Sequence, residues 1–264
     1  MPSREPDPSH IPAEDSPSRE ATFPAFADHL QVVLVRPEHA GNIGAAARAM
    51  KNMGVSVLRL VAPRCGHLTP DALKMAYGAR DILEHARLHA ELPEALADSR
   101  WVVGFALPRP GRPPCVWMEH AAVRIVARAG QGPVALVFGS EISGLSHDEL
   151  ARCDEVAAIG TAPAQPSLNL AQTVLLACYA VRQAAVQPPA PLDDRQLATQ
   201  TEIEALHADL GATLAAIGFL KPPHDRHILR DLRALMHRAH LDSREVRLIR
   251  GILRRARWAR RAPR

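Results

Sequence analysis

Aromatic side chains are scarce: five Phe, three Trp and two Tyr amount to 4% of the chain. That disfavours a nucleic-acid platform made by stacking bases on many rings. The four cysteines, Cys65, Cys115, Cys153 and Cys178, lie far apart without a C-x-x-C pair. This spacing argues against a zinc ribbon, a thioredoxin-like centre and a secreted disulfide framework. Neither G-x-G-x-x-G nor a P-loop occurs, which disfavours an NAD or ATP site of the usual type. No apolar run reaches the ~18 residues of a membrane span, and the N-terminus lacks the apolar stretch of a secretion signal. A soluble, cytoplasmic protein with no membrane partner is expected.

What is present is an apolar share of 47%, enough for a globular core, and a net charge of +4 that is unevenly spread. The final 39 residues contain thirteen arginines. Such asymmetry points to an anionic partner, most often nucleic acid, or else to a solvated helix face. The thirteen histidines show no H-E-x-x-H spacing, and His224 with His227 makes only a weak pair. Most of them read as surface or RNA-facing residues, and no metal site is expected.

Residues 1–27 are rich in Pro, Ser, Glu and Asp and lack periodic apolar content, so a disordered tail is expected there. Apolar runs then predict buried strands at Gln31 to Val35, Val57 to Val61, Trp101 to Ala106, Val134 to Phe138 and Val156 to Ile159. Between them, helical patterns run from Ala45 to Met53 (closed by Gly54), Pro70 to Ala76, Pro93 to Ala97, Ala121 to Ala129 and Asn169 to Gln183. Strands alternating with helices predict an α/β fold, a parallel sheet with helices on both faces. Clustered prolines mark a linker over residues 187–198. Beyond it, apolar spacing predicts three helices, a small basic all-helical extension over residues 199–264.

Ligands of parallel α/β folds sit at the carboxyl ends of the strands, so the loops there carry the chemistry. The first, Glu38 to Arg48, places Asn42 between Gly41 and Gly44 and puts Arg48 on the following helix. Alone it reads equally as a helix-opening turn with a surface arginine. The second, Phe138 to Leu145, holds Glu141 between Gly139 and Gly144; Gly139 permits close approach to a ligand, and a plain strand-to-helix turn explains the spacing as well. In the third, Ile159 to Ala171, Ser167 is a natural helix cap, whereas Asn169 inside the first turn is less easily explained by capping.

Together, N-x-G-x-x-x-R, F-G-x-E-x-x-G-L and S-L-N-L-A resemble the three motifs of the SpoU branch (SpoU/TrmH) of the SPOUT methyltransferases. Gly78-Ala79-x-Asp81, Val102-Val103-Gly104 and the helical tail with Leu248 to Leu253 extend the likeness to TrmJ-type tRNA ribose methyltransferases, from about residue 30 to residue 256. The resemblance implies a C-terminal trefoil knot, a homodimer, S-adenosyl-L-methionine as cofactor and a methyltransferase domain over residues 28–186. It implies cofactor contacts from Phe105, Ala106, Leu107, Gly139, Ile159, Pro166, Ser167 and Leu168, and catalytic roles for Arg48, Asn42, Glu141, Ser167 and Asn169. The implied reaction is 2′-O-methylation of tRNA at the first anticodon-loop nucleotide, cytidine or uridine. Ribosomal RNA as substrate, or a non-catalytic RNA-binding protein of the same fold, are the alternatives. Ser140, Gln165-Pro166 and Phe105-Ala106-Leu107 depart from the usual bacterial pattern, which bears on nucleotide preference.

Overall fold

The computed structural model describes residues 25–186, 195–220 and 225–261. Most of the expected tail and the prolines of the expected linker lie outside the described residues. At the edges of both, chain expected to be loose is packed. Ala25–His29 forms a short 3-10 helix with Ala27 buried, and Leu197 and Ala198 are buried as well.

The apolar runs form strands because a strand covered on both faces has no solvent side to alternate toward. They are β1 (Leu30–Val35), β2 (Val57–Val61), β4 (Trp101–Phe105), β6 (Val134–Phe138) and β7 (Glu155–Ala158). Two short strands, β3 (Arg87–His89) and β5 (Val116–Trp117), complete the sheet at its edges. The order is β3-β2-β1-β6-β4-β7-β5, every pairing parallel. β6, late in the chain, therefore lies between β1 and β4, and β7 between β4 and β5. The carboxyl ends of β4, β6 and β7 come out side by side.

Successive β1 residues serve opposite faces. Val32 and Leu34 join the cluster packed under α1 (Ala40–Met53), α5 (Met118–Ala129) and α7 (Leu170–Val186). Val33 and Val35 join the cluster under α4 (Leu92–Leu96) and α6 (His147–Leu150). Short helices α2 (Pro70–Met75) and α3 (Arg80–Glu84) fill the β2–β3 crossover. The α/β expectation, with helices on both faces, thus holds.

Helix α1 begins at Ala40, five residues before the expected start, so Asn42 sits in its first turn and not in a loop. The expected purpose of the glycines changes with it. A Cβ on Gly44 would lie 2.0 Å from the Ala72 carbonyl oxygen, so this glycine admits helix α2, not a ligand. Gly54 closes α1 in the left-handed conformation at φ 80°, as expected.

The extension is helical: α8 (Gln200–Ala216), α9 (Asp225–Arg238) and α10 (Ser243–Arg261) enclose a small core of Ile203, Leu206, Met236 and Val246. It is anchored to the sheet through Asp154, whose Oδ2 accepts the Val102 N–H at 2.8 Å and whose Oδ1 lies 3.0 Å from His237 Nδ1. His237 is only 1% exposed, an exception to the surface or RNA-facing reading of most histidines.

Candidate active site

At the carboxyl ends of β4, β6 and β7 a cavity of about 230 Å³ opens. Its floor is the stacked pair Phe105 and Phe138, ring centroids 4.4 Å apart. All eight residues singled out as cofactor contacts line it: Phe105, Ala106 and Leu107 after β4, Gly139 after β6, and Ile159, Pro166, Ser167 and Leu168 after β7. Glu141 lines it too.

The loop after β6 has a shape that only glycine allows. A Cβ on Gly139 would stand 2.1 Å from the Gly144 carbonyl carbon and 2.3 Å from the Leu145 nitrogen. Gly144 itself turns at φ 65°. Ser140, where the resemblance leads one to expect an arginine, is buried; its Oγ accepts the Ser143 N–H at 3.2 Å, and its carbonyl accepts the Gly144 N–H at 2.9 Å. Below the loop, Arg36 forms an ion pair with Glu149 and reaches the Gly144 carbonyl at 3.5 Å. Burial pushes the Glu149 carboxyl up, but the Arg36 bond and the Ser146 N–H outweigh it and hold the group below its ordinary value.

A chain of side-chain hydrogen bonds ties the loops after β6 and β7 to each other through the first turn of α1. Asn169 Nδ2 donates to Asn42 Oδ1 at 3.0 Å, and Asn42 Nδ2 donates to Glu141 Oε1 at 2.7 Å. Glu141 Oε2 accepts the Glu38 backbone N–H at 2.9 Å. Burial raises the Glu141 carboxyl, yet these donors together leave it below its ordinary value, so it is ionised at neutral pH. Asn169 also caps α7: its Oδ1 accepts the Ala171 N–H at 2.9 Å. The cap expected of Ser167 therefore falls to Asn169, which frees the exposed Ser167 to face the cavity. The loop before it is held by Thr161 Oγ1, which donates to the Pro166 carbonyl at 2.9 Å.

Arg48 stands apart. Six residues beyond Asn42 on α1, it is turned about 240° around the axis. It is exposed, with its guanidinium carbon 5.9 Å from the centroid of the Tyr77 ring. Within one chain it does not line the cavity. Conversely, Arg109 and Arg112 line the cavity and were missed by sequence reasoning; the signal was available, since both follow the carboxyl end of a strand.

The buried thiols offer no nucleophile: burial pushes Cys178 up to about 12 and Cys153 well above the usual thiol range. Among the described residues no three His, Cys, Asp or Glu gather as a metal site, and no helix is long and apolar enough to cross a membrane.

Comparison with known proteins agrees with this geometry. Residues 29–179 match the SpoU rRNA Methylase family, and residues 201–264 match the C-terminal domain of tRNA methyltransferase TrmJ. The chain is 40% identical over 242 residues to tRNA (cytidine/uridine/adenosine-2′-O-)-methyltransferase TrmJ of Pseudomonas aeruginosa, covering 86% of this chain and 93% of that protein. It is 37% identical over 234 residues to the cytidine/uridine enzyme TrmJ of Klebsiella pneumoniae, covering 85% and 95%. The crystal structure of TrmJ from Z. mobilis superposes with a TM-score of 0.76 at 35% identity, covering 85% of this chain and 97% of that one. The chain belongs to the SpoU rRNA methylase family, and within it to the TrmJ group.

Proposed function

We propose that the protein is an S-adenosyl-L-methionine-dependent RNA 2′-O-methyltransferase acting on tRNA at the first anticodon-loop nucleotide, cytidine or uridine. The observation that carries this reading is the convergence of the loops after β4, β6 and β7 on one cavity, with the β6 and β7 loops tied to each other through α1 by the Asn169–Asn42–Glu141 chain.

The cavity suits the cofactor. Its stacked phenylalanine floor and apolar Ala106, Leu107 and Ile159 match an adenosyl group, and Thr161 and Ser167 add hydroxyls. At about 230 Å³ it is a little under the usual ligand-pocket range of about 300–1,000 Å³. The close approach required at Gly139 leaves its backbone bare toward that space. When bound, the cofactor supplies an electrophilic methyl group on a sulfonium.

The remaining chemistry belongs to the protein. A ribose hydroxyl is a weak nucleophile, and a guanidinium holds its proton too firmly to act as a base. Arg48 therefore stabilises the developing alkoxide and anchors the neighbouring phosphate through its planar fork, while the hydroxyl proton passes to solvent water as the oxygen–methyl bond forms and the sulfur–methyl bond breaks. Asn42, Glu141 and Asn169 hold the loops in register, and Ser167 faces the nucleotide. Because Arg48 lies off the cavity of its own chain, it serves the cavity of a second copy in a homodimer. The exposed Leu175, Leu176 and Tyr179 of α7, with Ile142 at 80% exposure, supply an apolar face for that copy. A trefoil knot through the loops after β6 and β7 belongs to the same reading; the insertion of β7 between β4 and β5 supports it. So does a cytoplasmic location, where tRNA is found. The division into a methyltransferase domain over residues 28–186 and a basic RNA-binding extension over 199–264 is supported by the separate core of the extension.

The test is mass spectrometry of nucleosides from tRNA incubated with the protein and labelled cofactor. Label in 2′-O-methylcytidine or 2′-O-methyluridine of the anticodon loop is expected. Label confined to ribosomal RNA, or in a base, contradicts the reading.

A further inference from the structure

The loop joining β4 to β5, Leu107 to Cys115, is stiffened by Pro108, Pro110, Pro113 and Pro114 and carries Arg109 and Arg112. Prolines restrict the loop before any ligand arrives, so its charges are placed at little further entropic cost. His147 fixes it from outside, its Nε2 3.2 Å from the Gly111 carbonyl. Arg109 and Arg112 line the mouth of the cavity, and Arg112 also lines a second cavity of about 410 Å³ against α9, shared with Arg230 and Arg238. The carboxylates in that second cavity are already engaged. Asp154 is bound by His237 and the Val102 N–H, Glu155 is paired with Arg124, and Asp231 faces Arg230. Among the described residues Arg109, Arg112 and Arg238 have no carboxylate partner. Arg109 and Arg112 share the first cavity and Arg112 and Arg238 the second, so these three cations link the candidate cavity to the helical extension in one line of shared linings.

We infer that this line is the path of the RNA backbone. The strand leaving the target ribose crosses the Arg109–Arg112 loop and continues along α9 past Arg238, its phosphates the missing counter-ions. This rests on the methyltransferase reading and adds to it the route between active site and extension. Arginine suits the task because its fork matches phosphate oxygens. The long basic helix α10 then adds affinity at a distance without setting the register at the cavity.

The experiment uses the full chain and unmodified tRNA, with Arg112→Gln, Arg238→Gln and Arg112→Lys. RNA affinity is measured across a salt series, and S-adenosylmethionine affinity by calorimetry, with thermal unfolding as a fold check. Each Gln variant should weaken tRNA binding about tenfold at low salt and flatten the log–log salt slope by about 0.7, the value for one lost phosphate contact on a single strand. Cofactor affinity should stay within about twofold of the wild type, and Arg112→Lys should restore the salt slope by keeping the charge. An unchanged salt slope in both Gln variants overturns the path. Loss of cofactor affinity in Arg112→Gln with unchanged tRNA affinity also overturns it, because the arginine then serves the cofactor. A wild-type protein that binds tRNA but neither binds nor uses S-adenosylmethionine refutes the methyltransferase reading instead, whatever the arginine variants do to RNA affinity.

Discussion

Asn42→Asp swaps one atom group in the chain that ties the loops after β6 and β7 through α1, and its cost should depend on pH. Asn42 donates to Glu141 across 2.7 Å, and a carboxylate in its place turns that donor into a like charge. Two full charges at such a separation repel by about 6 kcal/mol at an effective dielectric of about 20. The pair can escape by taking up one proton, which costs about 5 kcal/mol at pH 8 and only about 1 kcal/mol at pH 5, given a reference carboxyl value near 4.3. Glu141 is half-exposed, so water screens part of the repulsion, and a loss of about 2–4 kcal/mol at pH 8 is expected. The sign follows from the direction of each shift. In the wild type the Glu141 carboxyl is held low, so its contribution is present above about pH 4.3 and fades as pH falls through the folded value. In Asn42→Asp one carboxyl is raised, so stability should recover as pH falls from 8 toward 5. Urea unfolding of both proteins at pH 8 and pH 5 reads this directly. A variant as stable as the wild type at pH 8, or equally destabilised at both pH values, would refute the reasoning.

Further outcomes follow from the same geometry. Gly139→Ala drives a Cβ into the Gly144–Leu145 peptide; overpacking of about 1–3 kcal/mol should weaken S-adenosylmethionine binding about ten- to hundredfold in a calorimetric titration. Arg48→Ala should lower kcat about 100- to 1,000-fold while leaving cofactor affinity and the melting midpoint unchanged, since the side chain is exposed. Arg48→Lys keeps the charge and loses the fork; methylation at the wild-type rate would show that the fork is irrelevant. Asp98→Ala strands the buried guanidinium of Arg59, bonded to it twice at 2.7 Å, and should cost about 2–3 kcal/mol in urea unfolding. The Arg59 bond holds the Asp98 carboxyl below its ordinary value, so this contribution is present above about pH 4 and is lost on acidification.

The central strands were legible because a run such as Val134 to Phe138, buried on both faces, leaves an unbroken apolar stretch in the sequence. β3 and β5 were not: with three and two residues, and with Leu88 and Trp117 exposed, no periodicity can develop. The start of α1 was misplaced because Gly41 to Gly44 read as the turn that opens the helix, whereas Gly44 is demanded by the neighbouring Ala72 carbonyl, a tertiary contact that no local pattern reveals. Asn169 was set inside the helix for a similar reason: Ser167 is an equally good cap by type, and only the folded loop decides between them. The residues expected to contact the cofactor were picked out through family resemblance, and their meeting at one cavity is a property of strand order. β4, β6 and β7 are scattered in the chain and become neighbours only in the sheet. The position of Arg48 on the far side of α1 was also beyond local reading, and it makes the second copy necessary to the proposed chemistry.

The loops after β4, β6 and β7, two of them tied through Asn42, are proposed to form a binding site for S-adenosylmethionine. Calorimetric titration of that cofactor into the wild type and into Asn42→Asp at pH 8 tests it most directly. Saturable binding at one site per chain in the wild type, strongly weakened in the variant, is the predicted result. No binding heat in the wild type at any concentration tried, or equal affinity in both proteins, would contradict it.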